Sequence, residues 1–85
     1  MKKFDYVIKD EAGIHARPAG LLVREASKFS SRIVVAKDER SADCRKLFAL
    51  MSLGVKHGDR VSVSCEGKDE ELAAAAMERF FADNL

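Results

Sequence analysis

Apolar and polar positions alternate along this chain with two different periods, and the changes of period mark its elements. Near the start, Phe4, Tyr6 and Ile8 alternate with Lys3, Asp5 and Val7. A period of two belongs to a strand with one buried face. Residues 10–15 form a turn around Gly13. From about Ala16 to Phe29 the period becomes helical. Ala19, Leu22, Val23 and Ala26 fall at i, i+3, i+4 and i+7, and Phe29 extends the stripe. Pro18, the only proline, sits in the first turn, where its missing N–H breaks no helical bond.

Ile33 and Val35 mark a second strand. The turn Lys37-Asp38-Glu39-Arg40 leads into a short, polar third strand near residues 40–43. Residues 47–53 read as a brief helix ended by Gly54. Val61, Val63 and Cys65 alternate with Ser62, Ser64 and Glu66 in a fourth strand. Gly67-Lys68-Asp69 is a turn with Asp69 as N-cap, and Glu70 and Glu71 suit the positive end of the helix that follows. That helix is expected to carry Leu72, Ala73, Ala76, Met77, Phe80 and Phe81 toward the core. The order β-α-β-β-α-β-α, with strands apolar on one face, predicts an α+β domain: a four-stranded antiparallel sheet with three helices on one face.

The 85 residues make one domain, spanning 1–85. A chain this size buries about 60–65% of its unfolded surface, which leaves no deep substrate cavity. That favours a carrier, binding or interaction module over a self-sufficient enzyme. With 15 basic and 14 acidic residues the net charge is +1, and a generic nucleic-acid binder is more basic. The longest apolar run, Leu72 to Met77, is far short of the roughly 20 residues of a membrane span. Asp5 and Lys9 interrupt anything like a signal-peptide core after Met1-Lys2-Lys3, so the chain reads as cytoplasmic. Cys44 and Cys65 are too few for a disulfide scaffold and lack metal spacing. Cys65 continues the strand alternation as a small buried residue, with a redox or ligand role as the alternative.

The most informative stretch is Gly13-Ile14-His15-Ala16-Arg17-Pro18-Ala19-Gly20. His15 lies just before a helix, where free N–H groups and the dipole favour an anion. Arg17 can add a second cation whose fork matches phosphate oxygens. A neutral imidazole there can attack phosphorus, and its product anion is stabilised in place. No Walker loop or carboxylate cluster for nucleotide and magnesium accompanies it, so the expected donor is another phosphoprotein. A lone histidine before a helix is also commonly a solvated turn residue or a cap, and spacing alone leaves both readings open. His57, in the Gly54–Gly58 loop without a helix start, reads as solvated.

Leu47-Phe48-Ala49-Leu50-Met51-Ser52-Leu53 is apolar almost all round. A two-turn helix on a sheet buries one face only. Leu50 and Leu53 lie within about 60° of each other, and Leu47, Phe48 and Met51 occupy a separate arc. Leu50 and Leu53 are expected inside, and the other three exposed as a partner site. A wholly buried helix is the alternative. In the first helix Gly20, Leu21 and Arg24 lie off the core stripe, and Gly20 would allow close approach of a partner's backbone. Arg17, Arg24 and Lys28 face one acid, Glu25, in residues 13–28. Arg40, Arg45, Lys46 and Lys56 face Asp43 alone in residues 40–57. A basic rim around an apolar patch steers toward acidic protein surfaces.

At these residues the sequence resembles the HPr family, the histidine-containing phosphocarriers of the sugar phosphotransferase system (PTS). Gly13-Ile14-His15-Ala16-Arg17-Pro18-Ala19 is similar to that family's active-site signature. Leu47-Phe48-Ala49-Leu50-Met51-Ser52-Leu53-Gly54 is similar to its second one. Length, element order and the Gly58 and Gly67 turns also fit, so the resemblance covers essentially the whole chain. It implies an open-faced β-sandwich and a phosphoryl carrier rather than an enzyme, with no cofactor and no metal. It implies phosphorylation of His15 at Nδ1 by enzyme I, which draws on phosphoenolpyruvate, and transfer onward to the IIA domains of sugar permeases. Arg17 carries over as the phosphate-stabilising residue, and Leu47, Phe48 and Met51 carry over as the docking surface. Pro18, Gly20, Leu21 and Arg24 join them as the first helix's share. No nucleic-acid partner, membrane insertion or assembly beyond a monomer is expected.

One position departs from the resemblance. Gram-positive relatives carry a regulatory serine, the target of an ATP-dependent kinase, where this chain has Lys46. That switch is expected to be absent at this site. Lysine also fails to cap the second helix, a loss of roughly 0.5–2 kcal/mol. Two other readings stand beside the carrier. One is a regulatory relative that accepts phosphate on His15 but acts by protein binding. The other is a small nucleic-acid-binding domain, supported only by the basic rim.

Overall fold

Strand register explains which half of each alternating pattern is inside. The computed structural model describes residues 1–85. It runs β1 (Lys2–Val7), α1 (Ala16–Ala26), β2 (Arg32–Lys37), β3 (Arg40–Asp43), α2 (Leu47–Ser52), β4 (Arg60–Glu66) and α3 (Glu70–Asn84). The strands form one antiparallel sheet in the order β1-β4-β2-β3. Phe4 lies opposite Val63 and Tyr6 opposite Val61, while Val63 and Cys65 lie opposite Val35 and Ile33. These residues share one face, which the helices cover. The other face carries Asp5 and Ser62, joined by a 2.7 Å hydrogen bond, and stays open. The expected open-faced sandwich is the fold observed.

The core joins this inner face to Ala19, Leu22 and Ala26 of α1, to Leu50 of α2 with Leu53 just after it, and to Ala73, Met77 and Phe81 of α3. Phe81 is its hub. Phe4, Tyr6 and Phe80 meet its ring edge-on at 5.6–6.1 Å between centroids, the geometry that ring quadrupoles favour. Both cysteines are free and buried. Burial pushes both thiols upward, so neither is a ready thiolate.

Three expectations change. The first helix stops at Ala26, where Ser27 takes the C-cap position and its hydroxyl donates to the Val23 carbonyl at 2.7 Å. Phe29 lies beyond the helix and packs on the core from the following loop. Leu72 is 70% exposed instead of buried. The phase of α3 is set by Met77 and Phe81, four residues apart. Four residues back lies Ala73, which puts Leu72 one step, or 100°, off that face. Asp69 occupies the N-cap position of α3 but makes no cap hydrogen bond. Its carboxylate turns to the loop after α1 and accepts the Ser30 and Ser31 N–H groups at 2.9 Å each, together with the Ser31 hydroxyl.

Cations from β2 and β3 hold the C-terminal end of α2, and one from the segment after β3 ties that segment to the loop before β2. Lys37 donates to the Gly54 carbonyl at 3.0 Å and pairs with Asp59 at 2.8 Å, and Arg40 donates to the Ser52 carbonyl at 2.8 Å. Both therefore meet the carbonyl end of α2, where its dipole is negative. Arg45 reaches the Phe29 and Ser31 carbonyls. Arg40 and Arg45, read from sequence as rim charges, thus serve as internal braces.

Candidate functional site

The site begins with a braced loop. Ile8 N–H donates to the Asp59 carbonyl at 2.9 Å, and Ile14 N–H donates to the Val55 carbonyl at 3.1 Å. Between them Gly13 adopts φ +69. A Cβ there would strike the Val55 carbonyl oxygen and lie 2.7 Å from Lys56 Cα, so only glycine fits. This loop delivers His15 to the N-cap of α1 in an extended conformation, with its side chain 45% exposed.

The histidine caps nothing: its ring makes no hydrogen bond to the helix. Its backbone N–H donates to the Gly13 carbonyl at 3.1 Å, and its carbonyl accepts from Ala19 N–H at 3.0 Å. Pro18 has no N–H. The N–H groups of Ala16 and Arg17 therefore remain without partners in the chain. A helix mouth with two free donors is an anion site in form. Arg17 is exposed and forms no ion pair within the chain. His15, Arg17, Pro18 and Leu21 line a shallow depression of about 280 Å³ together with Asp10, Asp83 and Asn84.

The residues expected to dock partners divide. Phe48 is 80% exposed, and Leu47, Met51 and Leu21 are exposed as well, while Leu50 and Leu53 are buried. The two arcs expected of α2 are thus both present. Gly20 faces open space, and Arg24 is exposed without an ion-pair partner. Pro18 departs from the expectation. Although it borders the depression, it is buried, so it shapes the first turn of α1 and offers little surface. Lys46 stands at the N-cap of α2 with no side-chain hydrogen bond to the helix, as its chemistry requires. His57 is exposed in its loop.

Sequence reasoning missed Asp10. Its carboxylate Oδ2 lies 3.5 Å from His15 Nε2, and its Oδ1 accepts Ala12 N–H at 3.0 Å. An aspartate two residues before a turn N–H is an Asx-turn signal, and it was available in the sequence. No helix is long and apolar enough to cross a membrane.

Residues 2–83 match the family described as PTS HPr component phosphorylation site. Phosphocarrier protein HPr of Mycoplasma genitalium is 46% identical over 85 residues, covering 99% of this chain and 97% of that one. A solved structure of HPr from Thermoanaerobacter tengcongensis, 44% identical, superposes with a TM-score of 0.92 and covers 98% of this chain and 93% of that one. A structure described as the HPr dimer of the same organism, also 44% identical, gives 0.77 and covers 98% and 95%.

Proposed function

Because the chain belongs to the HPr family of PTS phosphocarriers, we propose that its carrier site is His15 Nδ1, loaded by enzyme I and emptied by IIA domains of sugar permeases. One observation carries this reading: an exposed imidazole, not engaged as a cap, stands at a helix mouth that keeps two N–H groups free. In the transfer, the Nδ1 lone pair forms the N–P bond. The bond from phosphorus to the donor atom breaks, and its electron pair returns to the donor. The phosphoryl oxygens are met by the Ala16 and Arg17 N–H groups and by the Arg17 guanidinium. The reverse step, onto an acceptor side chain, uses the same contacts.

Partner recognition falls to Leu47, Phe48 and Met51, with Gly20, Leu21 and Arg24 beside them. Lys46 removes the serine-kinase switch from this position. The carrier acts in the cytoplasm as a monomer, and sedimentation separates that from a dimer. Incubation with enzyme I and phosphoenolpyruvate labels the native chain, and a IIA domain then removes the label. His15→Ala abolishes labelling, and Arg17→Ala slows it without unfolding the domain. Label that stays on His15 when a IIA domain is added would refute the carrier and favour a regulator. Phosphoserine after treatment with the regulatory kinase and ATP would refute the loss of the switch.

A further inference from the structure

We propose that Asp10 is a positioning residue that holds the His15 ring in its Nε2–H tautomer and so leaves the lone pair on Nδ1. The inference rests on His15 as phosphoryl acceptor and names what selects the accepting nitrogen.

A neutral imidazole carries one proton, and the groups facing its two nitrogens decide which of them holds it. A carboxylate accepts and never donates. Asp10 Oδ2 lies 3.5 Å from Nε2 and is the only ion-pair neighbour of the ring. That separation is longer than a hydrogen bond, and a small ring rotation closes it. At either distance the negative charge favours the proton on the nitrogen it faces.

The carboxylate's own orientation is fixed. Oδ1 accepts Ala12 N–H at 3.0 Å, which leaves Oδ2 for the imidazole. The backbone is equally constrained. Asp10 N–H donates to the Leu85 carbonyl at 2.8 Å, the Asp10 carbonyl accepts Gly13 N–H at 3.0 Å, and His15 N–H returns to Gly13. Both members of the pair thus hang on one loop whose turn only glycine can make. During transfer the ring gains positive charge as the N–P bond forms. Asp10 faces that charge from the Nε2 edge, opposite the reacting nitrogen, and the Nε2 proton stays in place.

Asparagine at position 10 reverses the polarity while keeping the turn. Its amide oxygen still accepts Ala12 N–H, and its NH₂ then points a donor at Nε2, which favours a lone pair there and a proton on Nδ1. Ring ¹⁵N shifts of His15, recorded in mildly alkaline buffer, read the tautomer directly. The native protein is expected to show Nε2–H predominantly, and Asp10→Asn a clear gain of Nδ1–H. The labelling rate at saturating donor falls on the order of tenfold, as when an imidazole loses the carboxylate that fixes its tautomer. The donor KM stays unchanged, and Asp10→Glu recovers most of the rate. Nδ1–H predominating in the native ring would overturn the proposal, with no variant needed. A folded Asp10→Asn protein with an unaltered tautomer ratio would do the same. The tautomer is measured on unphosphorylated protein, so failure of His15 to accept phosphate appears separately, as a native chain that never labels.

Discussion

Truncating Phe48 is expected to separate docking from folding. The side chain is 80% exposed in the free protein, so about four-fifths of its surface is available to a partner. Full burial of a phenylalanine is worth roughly 1.5–3 kcal/mol, and four-fifths of that is about 1.2–2.4 kcal/mol. At about 1.4 kcal/mol per decade, Phe48→Ala should weaken binding to a IIA domain about sevenfold to fiftyfold. The remaining fifth of the side chain contributes at most about 0.6 kcal/mol to folding, a melting shift of no more than about 5 °C. Leu50, two residues on and fully buried, is the control. Leu50→Ala should cost about 2–5 kcal/mol and lower the melting temperature by at least about 8 °C. Calorimetric titration with a IIA domain and thermal melting by circular dichroism read the two quantities independently. A Phe48→Ala protein that melts as low as Leu50→Ala, or that binds as tightly as the native chain, would refute the assignment of the two arcs of α2.

Asp69 should give the fold an acid limit. The Ser31 hydroxyl, followed by the Ser30 and Ser31 N–H groups, lowers its carboxyl from the ordinary 3.8 to about 2. The native state therefore binds fewer protons than the unfolded chain over that interval, and the stability it supplies above pH 4 is lost as pH falls toward 2. Urea midpoints measured from pH 5 to pH 2 should fall steeply for the native protein and more gently for Asp69→Asn; equal slopes would contradict this. Gly13→Ala forces a left-handed backbone on alanine and drives its Cβ into the Val55 carbonyl. A loss of about 2 kcal/mol or more is expected in denaturant unfolding, with slower phosphoryl acceptance on His15. Lys46→Ser supplies the missing cap of α2 and should raise stability by about 0.5–2 kcal/mol; an unchanged or lower urea midpoint would show that the turn forbids the cap.

Where a pattern depended on one face being buried, it was legible in the chain. Alternation in β1, β2 and β4 and the two arcs of α2 follow from the geometry of an open sheet, which covers each element on one side. The alanines of α3 hid the phase of that helix, because Ala73 to Ala76 weigh little in any direction, and Leu72 went to the wrong face. Asp69 followed by two glutamates reads locally as a helix start, but its carboxylate answers to amides 38 and 39 residues away. Sequence cannot rank a local partner against one brought near by the fold. Arg40 and Arg45 look like any exposed cations until the carbonyls beneath them are in place. Asp10 was missed for a different reason. Its turn with Ala12 and the glycine at 13 were readable, but which side chain meets its second carboxylate oxygen depends on the path of the whole loop, and local signals do not give that path.

A phosphoryl carrier must also let go, and with His15 as the proposed carrier site the helix mouth offers a moderate hold. An α-helix begins with four N–H groups that lack helical partners. In α1 these belong to His15, Ala16, Arg17 and Pro18. The first is taken by the Gly13 carbonyl and the last does not exist, so two remain. At about 1.5–3 kcal/mol for each hydrogen bond to a charged group, two fixed donors supply roughly 3–6 kcal/mol. Arg17 adds a guanidinium that is exposed and unpaired, and ordering it offsets part of its attraction. A deeper pocket with more fixed donors would stabilise the phosphorylated state against onward transfer. On the proposed reading, affinity for partners falls instead to α2, where the exposed Phe48 is free to be buried and released without touching the N–P bond. Under this division, changes at Phe48 move KM, changes at Asp10 move the rate at saturation, and neither substitutes for the other.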